Sequence, residues 1–188
     1  MKIAINNEQE VISQYIYAKD HNRPHLMAFA FTADARLEMH LKTQNIEFPA
    51  ESIGREAIAE TLVSNFGQQY ENVYTFCISD SLVRQGNNAS CNWLVAMTEK
   101  ANGNVRVGCG RYDWRFEREP SLLADQLRIT IDEMLVLEPR FASEVLQWAS
   151  GLAYPWGDGE AIVRTMPESL SKKGLLQLRT PMANCRIS

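Results

Sequence analysis

The sequence predicts an α+β fold: a curved antiparallel sheet wrapped around three N-terminal helices, followed by a helical C-terminal extension. Three observations carry this. Helical periodicity is concentrated in the first third of the chain, and two-residue alternation dominates from Val73 to Leu137. The turn signals Gln85-Gly86-Asn87-Asn88 and Ala101-Asn102-Gly103-Asn104 join alternating segments as hairpins. Finally, Val105 to Glu117, VRVGCGRYDWRFE, changes the parity of its apolar residues at Gly108 and Gly110. Val105, Val107 and Cys109 are odd; Tyr112, Trp114 and Phe116 are even. Glycines at a parity switch predict a β-bulge or sharp bend. The expectation is a long bent strand that sets three aromatic rings on one concave surface.

The elements follow in order. Residues 7–20, NEQEVISQYIYAKD, form a helix capped by Asn6 or Asn7, with Val11, Ile12, Tyr15 and Ile16 facing a core. After the turn Asp20 to Pro24, a second helix is expected to run to about Ala33, with Leu26, Phe29 and Ala30 inward and Asp34 capping its end. Arg36 to Lys42 alternates strictly, with Leu37, Met39 and Leu41 on one face and Arg36, Glu38, His40 and Lys42 on the other. Gly54 to Phe66 repeats Ile58, Leu62 and Phe66 at helical spacing. Val73 to Val83 reads as one strand, with Tyr74, Phe76 and Ile78 in phase. Ser90 to Thr98 follows, with Cys91, Trp93, Val95 and Met97 in phase. The last strand is Gln126 to Leu137, where Leu127, Ile129 and Ile131 share a face.

Pro139 ends this unit, giving a domain over 1–138 and an extension over 139–188. The extension holds helical patterns near 141–152, 160–165 and 170–178, and the turn Tyr154-Pro155-Trp156-Gly157-Asp158-Gly159. It is too small to build its own core. It should pack on the domain or on a second subunit.

Composition narrows the function. With 188 residues, 45% hydrophobic and 22% charged, the chain is globular, and its net charge of −4 argues against sequence-independent nucleic-acid binding. No apolar run has the length of a membrane span, and the N-terminus lacks a signal-peptide core. Cys77, Cys91, Cys109 and Cys185 show no CxxC pairing, which fits a reduced cytoplasmic protein. His21 and His25 have a helical metal spacing but sit in a turn with no third ligand nearby. No phosphate loop, nucleophile elbow or metal cluster is present, so neither metal nor cofactor is expected.

The strings LMAFAFTADARLEMH, IGREAIAETL and GRYDWRFE followed by QLRITIDEMLVL, in this order, resemble the SnoaL-like branch of the nuclear transport factor 2-like superfamily over residues 5–138. The resemblance implies a cone with an apolar pocket at its mouth and a homodimer formed through the sheet. It also implies several activities, among them ketosteroid-isomerase-like and dehydratase-like enzymes, cyclases, and non-catalytic small subunits of ring-hydroxylating dioxygenases. By the same resemblance Tyr15 falls where isomerase-like members place an oxyanion-stabilising tyrosine, and Tyr112 near their second, protonated acid. Their general base is replaced by Met39, and the dehydratase-like histidine by Thr75 or Phe76.

Two residues could substitute as the base. His40 suits proton transfer near neutral pH, but alternation puts it outside the cone unless its strand bulges. Glu133 is in register with Leu127, Ile129 and Ile131, which would bury it and raise its pKa, unless the strand bulges or ends near Asp132. Tyr15, Met39, Phe76, Trp93, Tyr112 and Trp114 are the candidate ligand-binding residues, although aromatics at strand spacing also serve as core. Function is thus expected to be binding of a small apolar or aromatic molecule, with proton transfer next to a carbonyl as the possible chemistry. The alternative is a non-catalytic assembly subunit that docks through the extension.

Overall fold

The computed structural model describes residues 7–172. Helix α1 (Glu8–Asp20) starts where Asn7 caps it: its side chain accepts from the Glu10 amide at 3.0 Å and donates to the Glu10 carboxylate at 3.1 Å. Its buried face carries Val11, Ile12, Tyr15 and Ile16, and continues to Lys19. A 3₁₀ helix spans Pro24–Phe29 and stops there. The second helix therefore ends earlier than its composition suggests, and Asp34 caps nothing. It is exposed within strand β1 (Phe31–Leu41), whose inward alternation runs through Ala35, Leu37 and Met39 and is interrupted by a register shift between Phe31 and Arg36.

Strand β2 (Glu51–Ile53) leads into α2 (Arg55–Ala59), a π turn over Glu60–Ser64 and α3 (Asn65–Gln69), a continuous helical segment that buries Ile58, Leu62 and Phe66. Strand β3 (Tyr70–Ile78) begins directly at its end. The single strand expected over 73–83 is broken at Ser79–Ser81, where a 3₁₀ turn intervenes and the Ser81 hydroxyl donates to the Ile78 carbonyl at 2.7 Å. Short polar side chains compete here with the sheet ladder. Strand β4 (Val83–Gln85) then pairs back on β5 (Asn88–Glu99) through the expected Gly86-Asn87 turn, with Gly86 at φ +60°.

Strands β6 (Val105–Glu117) and β7 (Leu123–Leu137) complete the meander. Among the described residues the sheet has eight strands in the order β2-β1-β7-β6-β5-β3-β8, with β4 paired to β5. It is mostly antiparallel, with β1 parallel to β7. The sheet is curved and unclosed, and the helices pack into its concave side. This is the α+β cone expected from the sequence.

The organising strand differs from expectation in one respect. The β5–β6 register runs without interruption from Asn88↔Arg115 to Thr98↔Val105, so no bulge in β6 exchanges its faces. Both parities are apolar because both faces are buried. Tyr112, Trp114 and Phe116 enter the core under the helices, whereas Val105, Val107 and Cys109 enter a second core on the convex side. That second core is roofed by the extension. Helix α4 (Ala142–Ser150) contributes Val145 and Trp148, and α5 (Gly159–Thr165) contributes Ile162. The short strand β8 (Trp156–Gly157) joins the sheet edge parallel to β3, and α6 (Glu168–Lys172) follows. Part of the helix expected over 170–178 lies outside the described residues.

The bulge lies on β7. Cys109 pairs with Glu133, but Gly110 pairs with Ile131, which leaves Asp132 as the extra residue. The parity of β7 therefore changes at Asp132: Ile131 and Met134 both reach the inner core, and Glu133 is turned to the other face. The two glycines admit close packing. A Cβ on Gly110 would lie 1.9 Å from the Thr130 carbonyl oxygen and 2.9 Å from the Trp93 ring.

Candidate ligand-binding cavity

The cone interior is largely filled by aromatic rings. Tyr15 packs edge-on against Phe31, Tyr112 and Trp114 at centroid distances of 6.0, 5.8 and 5.3 Å. Trp93 stacks on Tyr112 at 5.6 Å, and Trp114 on Phe116 at 6.0 Å. Such edge-to-face and offset pairs fix ring positions beyond what area burial alone requires. What remains is a cavity of about 40 Å³. Its walls are apolar, with Ile46 and Phe48 at the loop after β1 and three methionines, Met39, Met97 and Met134.

The polar lining comes from five residues, Tyr15, Lys19, Thr75, Trp93 and Tyr112. Tyr15 and Tyr112 share a side-chain hydrogen bond, and burial pushes the pKa of both well above the ordinary phenol value. Both hydroxyls therefore stay protonated at neutral pH. The Trp93 indole N–H is buried and has no acceptor.

Lys19 is the least expected of the five. It lies four residues after Tyr15, hence on the same helix row, and its side chain is only 7% exposed. The ammonium donates to Asp20 Oδ1 at 2.7 Å and to Thr75 Oγ1 at 2.8 Å, and lies 4.8 Å from the Phe66 ring centre. Asp20 is fully buried. It also accepts from the Thr75 hydroxyl at 2.8 Å, from the Thr75 backbone N–H at 2.7 Å and from Tyr154 of the extension at 3.1 Å. A buried carboxylate with four donors, one of them a cation, is the arrangement that offsets desolvation of the pair.

The sequence-derived candidates separate on this frame. Tyr15, Met39, Trp93 and Tyr112 meet at the cavity. Trp114 belongs to the same core but lies outside the cavity lining. Phe76 lies on the opposite face, in the second core, because Thr75 and Cys77 are the residues of β3 turned towards the helices. His40 is exposed opposite Thr130 on the outer face. The bulge at Asp132 sets Glu133 on that side too, where its carboxylate accepts from the Met134 amide at 3.0 Å. Neither residue reaches the cavity. Among its described lining residues there is no Asp, Glu or His. His21 stacks on Tyr17 at 4.3 Å, and no group of three potential metal ligands occurs among the described residues.

Residues 5–131 match the SnoaL-like domain family. The chain belongs to that family. No curated protein matches this SnoaL-like chain. Solved structures similar to it include a ketosteroid isomerase-like hypothetical protein from Catenulispora acidiphila in complex with trimethylamine, at 17% identity and TM-score 0.53, covering 64% of this chain and 83% of that one. A putative isomerase from Rhodopseudomonas palustris aligns at 11% identity and TM-score 0.56, covering 69% and 92%. LinA aligns at 12% identity and TM-score 0.58, covering 69% and 86%. At these identities the likeness establishes the fold of the SnoaL-like chain. No helix among the described residues is long and apolar enough to cross a membrane.

Proposed function

We propose that this SnoaL-like protein binds a small apolar or aromatic molecule at the mouth of its cone. The observation that carries the proposal is the cavity itself: apolar walls meeting a few converging polar groups, the usual composition of a ligand site. Its present volume of about 40 Å³ is well below the roughly 150 Å³ of a cavity that accepts benzene, so binding must displace lining side chains. Met39, Met97 and Met134 are suited to that, since unbranched thioethers change rotamer at low cost. If chemistry follows binding, proton transfer next to a carbonyl would draw on Tyr15, Tyr112 and Lys19 as donors to the oxygen, since His40 and Glu133 are remote. Isomerisation, dehydration and cyclisation all begin with such polarisation.

The proposal includes a homodimer through the open half of the convex sheet face, where Arg128 pairs with Glu38 and Arg111 with Asp113. Alternating charges of this kind suit a two-fold, self-complementary contact. It also includes a reduced, cytoplasmic setting, supported by the free buried Cys77, Cys91 and Cys109. Native mass spectrometry with a panel of small aromatic probes tests the binding. Uptake that disappears in Val95→Trp, which fills the cavity, is expected; a protein that carries and takes up nothing refutes it. Sedimentation velocity tests the dimer, and a monomer at all concentrations removes it.

The small cavity is the one observation that favours the alternative, a non-catalytic assembly subunit. Stoichiometric co-purification of an unlike chain, lost when residues 154–159 are replaced, would support that role.

A further inference from the structure

Resting on the proposed cavity, the arrangement of Lys19 and Asp20 narrows the ligand class. We propose that the cavity selects ligands with an anionic oxygen group, a carboxylate or an enolate-like oxygen attached to an apolar body, and that Lys19 is the residue that holds it.

Three features lead there. First, the ion pair is polarised with respect to the cavity. Lys19 is among the residues that line it, whereas the Asp20 side chain is fully buried and Asp20 is not among them. Each carboxylate oxygen of Asp20 accepts two hydrogen bonds, one set from Lys19 and the Thr75 hydroxyl, the other from the Thr75 amide and Tyr154. Its acceptor capacity is therefore taken up by the protein. Second, Lys19 has three N–H donors and uses two, on Asp20 and Thr75. For the third no oxygen acceptor is found among the described residues; the Phe66 ring centre lies 4.8 Å from the nitrogen. Third, the indole N–H of Trp93, another lining residue, is also buried without an acceptor. Two donors without an acceptor, one of them charged, and no carboxylate in the lining make a site richer in donors than in anionic acceptors. Buried donors without partners are costly, and a ligand that supplies the acceptor removes the cost. An ammonium-bearing ligand would meet a like charge and no carboxylate to pair with it.

A matched series of benzoate, benzyl alcohol and benzylamine tests this on the full-length protein. The readout is the indole N–H resonance of Trp93 in ¹H–¹⁵N NMR spectra, assigned with Trp93→Phe, because it locates binding in the cavity. Benzoate is expected to bind at least about tenfold more tightly than benzyl alcohol, the lower range for a hydrogen bond to a charged group, with benzylamine weakest. In Lys19→Met the preference for benzoate should fall to within about twofold while benzyl alcohol still binds. The wild-type series stands alone if that variant does not fold. Equal affinity for the three, or a preference for benzylamine, overturns the anion inference and leaves the cavity reading intact. A Trp93 resonance that no probe moves overturns both.

Discussion

Replacing Asp20 by asparagine should destabilise the protein by about 3–5 kcal/mol, the cost of leaving a buried charge without its partner. The value follows from the surroundings of the carboxylate. Asp20 is fully buried, Lys19 is 7% exposed, and the pair is separated by 2.7 Å. Asparagine keeps the shape but not the charge. It also replaces one acceptor oxygen by an NH₂ group. That group must face either Lys19 and the Thr75 hydroxyl or the Thr75 amide and Tyr154, so donors meet donors on one side. Lys19→Met should cost less, about 1–3 kcal/mol, because Asp20 then keeps three of its four donors. The double variant should recover part of the Asp20→Asn loss, since the unpaired cation is gone. Urea denaturation at neutral pH measures all three, with equal m-values required for the comparison. For a chain of 188 residues, the Asp20→Asn loss corresponds to a fall in Tm of roughly 6–20 °C. A loss below about 1 kcal/mol, or a double variant less stable than Asp20→Asn alone, would refute a charged, mutually dependent pair.

Three further outcomes are expected. Gly110→Ala should cost about 3 kcal/mol or more, since its Cβ meets the Thr130 backbone oxygen at 1.9 Å, whereas exposed Gly86, with nothing near its Cβ, should cost only the strain of its positive φ; thermal melts rank the two. For Glu8, burial pushes the pKa up, but hydrogen bonding to its own backbone amide and the Arg118 and Arg84 charges outweigh it and hold the pKa below 4.5. Its contribution to stability is therefore present above 4.5 and lost as pH falls below that value towards the depressed folded pKa, so wild type should lose more stability than Glu8→Gln between neutral and strongly acidic pH. Tyr15 and Tyr112 run the other way. Burial raises both above 10.0, so their contribution is complete below pH 10.0 and is lost as pH rises beyond it; tyrosinate absorbance from these two should appear only with unfolding, and earlier appearance would contradict their burial.

Much of the frame was legible in local pattern. Alternation located β5, β6 and β7, the stripe of Val11, Ile12, Tyr15 and Ile16 located α1, and the glycine turns located the hairpins, because each depends on near neighbours in the chain. Trp93 followed from the same periodicity, whereas the two cavity tyrosines and Met39 came from the resemblance to isomerase-like members. Lys19 followed from neither, although its spacing from Tyr15 was visible: a charged residue in the last turn ordinarily marks a solvated helix end, and the residue that makes burial tolerable, Thr75, comes from β3.

What the sequence by itself determined is which residues share a face. Which face turns inward was decided by tertiary structure alone. Phe76 and Thr75 alternate cleanly, yet only the roof formed by α4 and α5 makes the Phe76 side a second core and leaves Thr75 to the cavity. Likewise Glu133 changes sides through one extra residue at Asp132, a register shift set by pairing with β6. Periodicity is a property of one strand. Burial depends on what covers each face and on the partner's register, and those are contacts between segments distant in the chain.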